Sequence, residues 1–247
     1  MDLTLAQHLS QLTSTFYREV SPSFSATRES AWPGWLRMVD ELDLGGRTDL
    51  EVLDIACGNL RFERFLAQQG LDVRAWAVDS CDDLVARGER PLRATNPNAR
   101  VTYRHLDVME ALYEGCDLGG CLDAPACDLA VCFGFMHHVP LPEHRRRVLE
   151  ALLAHVRPGG FAAVSYWQFL RDARLREKAV PVEGGNEGDY LLGWQGRTDV
   201  ARYCHSFAEH EIDGLVEALP SAAREVVRFS ADGKSGSLNR YVVLQRL

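Results

Sequence analysis

The sequence predicts an α/β fold built on a mostly parallel sheet, and three observations predict it. Residues 51–62 read Glu-Val-Leu-Asp-Ile-Ala-Cys-Gly-Asn-Leu-Arg-Phe: an apolar run closing on the acid Asp54, a turn of small residues, then polar and aromatic residues at helical spacing. That is a buried strand, a tight βα turn and a crossover helix. Residues 75–79 form another apolar run ending in an acid, Asp79, about twenty residues beyond the turn. Residues 128–135 are the most apolar stretch, as a central parallel strand requires.

The other elements follow in order. Leu5, Leu9, Leu12 and Phe16 recur at helical steps and predict an amphipathic first helix. Residues 17–28 then pass through Ser21-Pro22-Ser23 towards Trp32-Pro33-Gly34-Trp35, which predicts a surface loop or a lid. The helical period resumes over 36–44 and stops at Gly45-Gly46. Helix 61–69 is stopped by Gly70, and 82–88 form a short helix after the second strand. Residues 101–106 predict a third strand with Asp107 at its carboxyl end. Between 108 and 127, Gly115, Gly119-Gly120 and Pro125 leave room for a short helix and a loop.

The fourth strand runs into Met136-His137-His138-Val139-Pro140. A helix over 142–156 carries Arg145, Arg146 and Arg147 as an exposed basic stripe. Arg157-Pro158-Gly159-Gly160 is a sharp turn before a strand over 161–167. A basic segment (Arg171, Arg174, Arg176, Lys178) and a turn-rich stretch over 183–189 follow. They mark 168–210 as a cap inserted in a single domain spanning 1–247, with 1–46 as an N-terminal helical or lid segment. Helix 209–219 and two strands around 226–229 and 241–244, joined by Asp232-Gly233-Lys234-Ser235-Gly236, close the chain.

At 247 residues the chain can bury a full core without staples. No run approaches the length of a membrane span, and no basic-then-apolar leader stands at the N-terminus. Seven irregularly spaced cysteines read as reduced thiols, so a cytoplasmic protein is expected. Cys116, Cys121, Cys127 and Cys132 cluster without the C-x-x-C spacing of zinc ribbons, and no metal is expected. The net charge of −8 opposes a phosphate backbone unless basic residues gather on one face.

The turn after the first strand sets backbone N–H groups and a helix N-terminus beside a ligand. An acid ending the next strand is where a carboxylate accepts from ribose hydroxyls, so the pair points to a nucleoside-containing cofactor. A dinucleotide site wants G-x-G-x-x-G, and the turn has only Gly58; the lysine of a phosphate-cradling loop is missing too. Acid, small residue, Gly, then an acid after the next strand resembles the first two motifs of class I S-adenosylmethionine (AdoMet) methyltransferases. Their turn usually reads D-x-G-x-G-x-G; here Ala56 and Leu60 replace the outer glycines. The resemblance implies a Rossmann-like class I methyltransferase fold, with a mostly parallel seven-stranded sheet, helices on both faces and a small cap. It also implies AdoMet as cofactor, held by Asp54, Ala56, Cys57, Gly58, Asn59, Asp79, Ser80, Asp107, Val108 and Phe133. Asp107 would accept from the adenine amino group, or else cap the following helix.

A finer resemblance rests on Phe24-Ser25-x-Thr27-Arg28 before Trp32-Pro33, Cys57-Gly58-Asn59, His137-His138, Gly188-Asp189-Tyr190-Leu191, Arg202-Tyr203-x-His205-x-Phe207 and Asn239-Arg240-Tyr241. In that order, over nearly the whole chain, these phrases resemble the tRNA wobble-uridine carboxymethyl methyltransferases, including the methyltransferase half of the AlkB-type fusion enzymes. That family methylates the carboxylate of 5-carboxymethyluridine in the anticodon. The resemblance implies tRNA modification, with Arg28, a histidine of the His137-His138 pair and Arg202 at the acceptor. It implies tRNA as partner and, as in eukaryotic members, a small zinc-containing activator subunit. Trp194 and Tyr203 are candidates to stack the uracil or to pack the cap, and His205 joins them as a substrate-side candidate. The chemistry agrees, because a carboxylate is already ionised at neutral pH and needs capture and aim rather than a base. Arginine forks suit its plane. Two other readings stay open: a small-molecule O- or N-methyltransferase with His138 as general base for a hydroxyl, and a module that holds AdoMet without turnover.

Overall fold

Apolar runs that have lost all contact with water build the centre of the sheet. The computed structural model describes residues 1–45 and 47–247. Gly46, half of the expected Gly45-Gly46 stop and the end of the expected 1–46 segment, lies outside the described residues. Strands β1 (Leu50–Ile55), β2 (Val73–Asp79), β3 (Arg100–His105), β4 (Cys127–Cys132) and β5 (Val156–Trp167) are followed by β6 (Val180–Pro181), β7 (Asp189–Trp194), β8 (Arg197–His205), β9 (Ala223–Ala231) and β10 (Asn239–Arg246). The main sheet has seven strands in the order β3-β2-β1-β4-β5-β10-β9, parallel from β3 to β5. The two tail strands close it as an antiparallel pair. Every residue of β4 is buried, as its central place between β1 and β5 demands.

Helices α1 (Leu3–Ala26), α2 (Pro33–Glu41), α3 (Arg61–Gln68), α4 (Asp82–Thr95), α5 (Val108–Tyr113), α6 (Leu118–Leu122), α7 (Pro142–Ala154), α8 (Ala173–Arg176) and α9 (Glu209–Glu217) complete the chain. One core cluster joins the sheet to α5, α6, α7 and α9. Another, on the opposite face, packs Trp35 and Met38 of α2 with Phe62, Phe65 and Leu66 of α3 and Phe229 and Tyr241 of the tail strands. The fold is therefore the Rossmann-like class I arrangement expected. No described helix is long and apolar enough to cross a membrane.

Three local expectations need correction. The first helix does not stop before Pro22 but continues to Ala26, so most of the expected loop or lid is helical. A proline inside a helix costs about 3 kcal/mol. Against that, the extra turn packs Phe24 on Tyr17 and Trp194, and Ser23 Oγ accepts the Trp194 indole N–H at 2.9 Å. Helix α4 likewise runs past Gly88 to Thr95, because Leu84, Val85, Gly88 and Leu92 share one buried face. Gly159-Gly160 is no break before β5 but part of it: Gly159 has φ +82°, and the pairing with β4 shifts register there. The inserted cap is a three-stranded antiparallel sheet, β6-β7-β8, against which α1 packs through Phe16 and Val20.

Candidate active site

In an open α/β sheet a ligand binds beyond the carboxyl ends of the strands, where the strand order reverses. Here that point lies between β1 and β4, and a cavity of about 990 Å³ opens there. Every residue expected to hold the cofactor lines it, and so do Arg28, His137, His138 and Arg202.

The turn between β1 and α3 keeps a glycine-like path without the glycines. Ala56 (φ +62°) and Leu60 (φ +51°) both adopt the left-handed conformation, as does Gly58 (φ +55°). That conformation costs roughly 1–2 kcal/mol for a residue with a Cβ. Leu60 offsets it by burial against Cys57, Ala77, Val85 and Leu92, whereas Ala56 has little to bury. Ala56→Gly is thus expected to stabilise the protein by about 1 kcal/mol. Leu60→Gly is expected to destabilise it by about 2 kcal/mol or more. Thermal melts of both variants check the pair; stabilisation by both would mean that Leu60 contributes no packing. Gly88 of α4 lets that helix reach the same turn: a Cβ there would lie 2.1 Å from the Asn59 carbonyl oxygen.

Acids line the cofactor half. The Gly58 N–H donates to Asp79 Oδ2 and the Cys81 N–H to Oδ1, both at 2.8 Å, so Asp79 fixes the turn as well as facing the cavity. Burial pushes its carboxyl up, opposed by these backbone donors. Asp107 caps α5 through Oδ1, which accepts from Met109 and Glu110 N–H groups, while no described residue donates to its Oδ2. Both alternatives held open for Asp107 therefore fit. An open cradle above Gly58, where an added Cβ would meet nothing, and the carboxylates of Asp79 and Asp107 suit a cationic nucleoside cofactor.

Arginines and histidines line the other half. Arg202 is 6% exposed and Arg28 half-buried, and neither has a carboxylate partner among the described residues. Arg202 lies over Phe16 and Trp194, Arg28 over Phe24. Burial and the nearby Arg202 charge lower the Arg28 pKa. His138 sits between Tyr203 and Tyr17. Its Nδ1 is 2.7 Å from the Tyr203 carbonyl oxygen, so Nδ1 donates, and its Nε2, 2.8 Å away, must accept from the Tyr17 hydroxyl. Burial and Arg202 push His138 down to about 3, and burial pushes Tyr17 up to about 12. His137 is held well below its ordinary value by burial and by His138, and its Nδ1 has no partner among the described residues. His137, His138 and Cys204 bring ligand atoms within 4.8 Å of one another. A cation there would have to displace Tyr17 from His138 and sit beside Arg202.

The structure moves several expected substrate residues elsewhere. Tyr203 and His205 do not line the cavity; both are buried in an ionic network under the cap. Asp189 Oδ1 accepts from the Tyr203 hydroxyl at 2.5 Å and His205 Nδ1 at 2.7 Å, while His205 Nε2 donates to Glu211 at 2.8 Å. Arg145 completes it, 3.6 Å from Glu211 and 4.0 Å from Asp189. The expected basic stripe therefore does not exist. Arg145 is buried, Arg146 pairs with Glu150, and Arg147 donates to the Leu112 and Cys116 carbonyls. Trp194 braces Arg28 and Arg202 from behind rather than lining the cavity. Tyr17 was missed. Its signal is the polar stripe Gln7, Ser10, Ser14, Tyr17, at helical spacing on the face of α1 turned to the cavity.

Fold and cavity thus define a nucleoside-cofactor enzyme of the class I α/β type. A family model described as "Methyltransferase domain" matches residues 27–219, and the chain belongs to that family. It is 26% identical over 220 residues to a protein of Encephalitozoon cuniculi carried under a methyltransferase name, covering 89% of this chain and 90% of that one. It is 25% identical over 184 residues to the tRNA (carboxymethyluridine(34)-5-O)-methyltransferase of Arabidopsis thaliana, covering 73% of this chain but 38% of that protein. Among solved structures, 1,6-didemethyltoxoflavin-N1-methyltransferase of Burkholderia thailandensis, with S-adenosylhomocysteine bound, superimposes with a TM-score of 0.64 at 20% identity, covering 100% of this chain and 92% of that one. A SAM-dependent methyltransferase of Methanosarcina mazei gives 0.61 at 18% identity over 83% and 96%. The chain is a methyltransferase domain with the fold of the AdoMet-dependent enzymes, and AdoMet is the cofactor of that class.

Proposed function

We propose that the protein methylates a carboxylate, with AdoMet as donor and the 5-carboxymethyl group of a tRNA wobble uridine as acceptor. The observation that carries this reading is Arg202: a guanidinium 6% exposed, facing the cavity, with no carboxylate to balance it among the described residues. A buried, unbalanced charge is costly and is retained where a ligand completes it. Bound in the acid-lined half, AdoMet would supply a methyl group on a cationic sulfur, which a carboxylate oxygen would take as an ester while S-adenosylhomocysteine leaves as the neutral thioether. Asp79 and Asp107 would hold its ribose and adenine, and the turn at Gly58 would lie against it. Arg202 and Arg28 capture and aim the acceptor.

The rival with His138 as general base is disfavoured by geometry. Its Nε2 already accepts from Tyr17, and its depressed pKa makes it a weak base at pH 7. The likeness to the Arabidopsis enzyme over 73% of the chain supports a tRNA acceptor. The test is transfer of labelled methyl from AdoMet to carboxymethylated tRNA, with and without a zinc-containing activator subunit, followed by mild alkali. Alkali-labile label is expected. Label that survives alkali would count against an ester.

A further inference from the structure

The cofactor brings a charge that the acid-lined half of the cavity does not answer. AdoMet is positive at its sulfur and at its amino group, and negative at its α-carboxylate. Asp54, Asp79 and Asp107 suit the cationic groups and the hydroxyls but offer a carboxylate nothing. Four described arginines line the cavity: Arg18, Arg28, Arg61 and Arg202. Arg18 is exposed on α1 and donates to the Thr15 hydroxyl. The Trp194 ring centre lies 6.0 Å from the Arg28 guanidinium and 5.7 Å from that of Arg202, so one ring braces both on the acceptor side.

Arg61 stands apart from them. It is the first residue of α3, directly after the turn at Gly58, and its guanidinium lies 4.9 Å from the ring centres of both Trp32 and Trp35. Trp35 packs in turn on Phe133, one of the residues expected at the cofactor. Half-buried, Arg61 makes one hydrogen bond among the described residues, from Nη1 to the Ser30 carbonyl oxygen at 3.2 Å. That occupies one of five N–H groups. No described carboxylate pairs with it. Asp232, which also lines the cavity, accepts instead from the Gly34 N–H, the Asn239 amide and the Tyr241 hydroxyl, at 2.9, 2.7 and 2.6 Å. A cation in the first turn of a helix also faces the positive end of the helix dipole. Leu60, at the N-cap, supplies no side-chain acceptor for the first N–H groups of α3. An anion in this corner meets both needs.

We infer that Arg61, with the N-terminal turn of α3, holds the α-carboxylate of AdoMet. A guanidinium fork matches a carboxylate in two parallel hydrogen bonds. The methionine end of the cofactor is then fixed at Arg61 while Asp79 and Asp107 fix its nucleoside end, and Arg28 and Arg202 stay free for the acceptor. The inference needs AdoMet as cofactor and is independent of which acceptor is methylated.

Calorimetric titration of the protein with AdoMet and with decarboxylated AdoMet, which lacks only the carboxylate, tests it with no acceptor present. The wild type is expected to bind AdoMet about 10- to 100-fold more tightly than the decarboxylated compound, as hydrogen bonds to a charged group provide. Arg61→Met should abolish that preference: its Kd for AdoMet rises by the same factor, and its Kd for decarboxylated AdoMet stays within about twofold of the wild type's. Arg61→Lys, which keeps the charge without the fork, should fall between the two. Equal weakening of both ligands by Arg61→Met would make Arg61 a residue that shapes the turn and would overturn the assignment. Loss of the preference in Arg28→Met but not in Arg61→Met would give the carboxylate to Arg28 and overturn it as well. So would a wild type that binds the two compounds alike, a result that needs no variant to fold.

Discussion

Arg202→Met is expected to lower kcat/KM for a carboxylate acceptor by about 100- to 1,000-fold, corresponding to the several kcal/mol lost when one partner of a buried charge pair is truncated. AdoMet affinity should stay within about twofold, because Arg202 lies on β8, across the cavity from the acids expected to hold the cofactor. The variant should also be no less stable than the wild type, and more stable by about 1 kcal/mol or more. Methionine keeps the apolar contacts with Phe16 and Trp194 and removes a buried charge that no described carboxylate balances. Activity falling while stability holds or rises marks a residue kept for its ligand. Transfer assays, calorimetry and a thermal melt on the one variant decide the matter. A large loss of stability with unchanged turnover would make Arg202 a structural residue and remove the acceptor argument.

Asp189→Ala is expected to cost about 3–5 kcal/mol, because it leaves His205 and Arg145 facing each other with only Glu211 between them. At about 2–4 °C per kcal/mol for a chain of this size, the melting temperature should fall by about 10 °C. Burial, the largest single influence, would raise the Asp189 and Glu211 pKa values, but several donors together outweigh it and hold both below the ordinary carboxylate range: His205, Tyr203 and the Asn186 N–H for Asp189, and His205 and the Ala208 N–H for Glu211. Depressed carboxyls stabilise the fold above their unfolded pKa and lose that contribution as pH falls through the folded value. The gap between wild type and Asp189→Ala should therefore be full at pH 7 and close steadily below about pH 4. Melts across pH 3–7 check this. A gap that does not change with pH would mean that packing, not charge, accounts for the loss.

The parts of this molecule set by local pattern were legible in the sequence. An apolar run ending in an acid, then a small turn and a helical period, located β1, the turn and α3, and with them Asp54, Gly58 and Asp79. Even the replaced glycines did not mislead, because Ala56 and Leu60 take the left-handed path that glycine would. What depends on distant pairings was not legible. Tyr17 acquires its meaning from His138, 121 positions away, and Ser21 donates to Asp83, 62 positions away. An arginine at a helical position looks solvated until the cap supplies Asp189, and so Arg145 passed for surface charge. For Tyr203 stacking on the uracil and packing of the cap were both open; in a strand, adjacent side chains point to opposite faces, and with Arg202 lining the cavity that alternation sends Tyr203 into the ionic network under the cap. The burial of Glu63 in the first turn of α3 was invisible for a similar reason, since an acid there ordinarily faces water and the dipole.

The central claim is that the cavity pairs an AdoMet site with a cationic pocket for a carboxylate. Single-turnover transfer to two tRNA substrates that differ only in the wobble side chain, one a carboxymethyl and the other its carboxamide, tests it most directly. Methyl ester on the carboxylate substrate alone, lost in Arg202→Met, is the result predicted. Equal methylation of both substrates, or a turnover that Arg202→Met leaves unchanged, would contradict it.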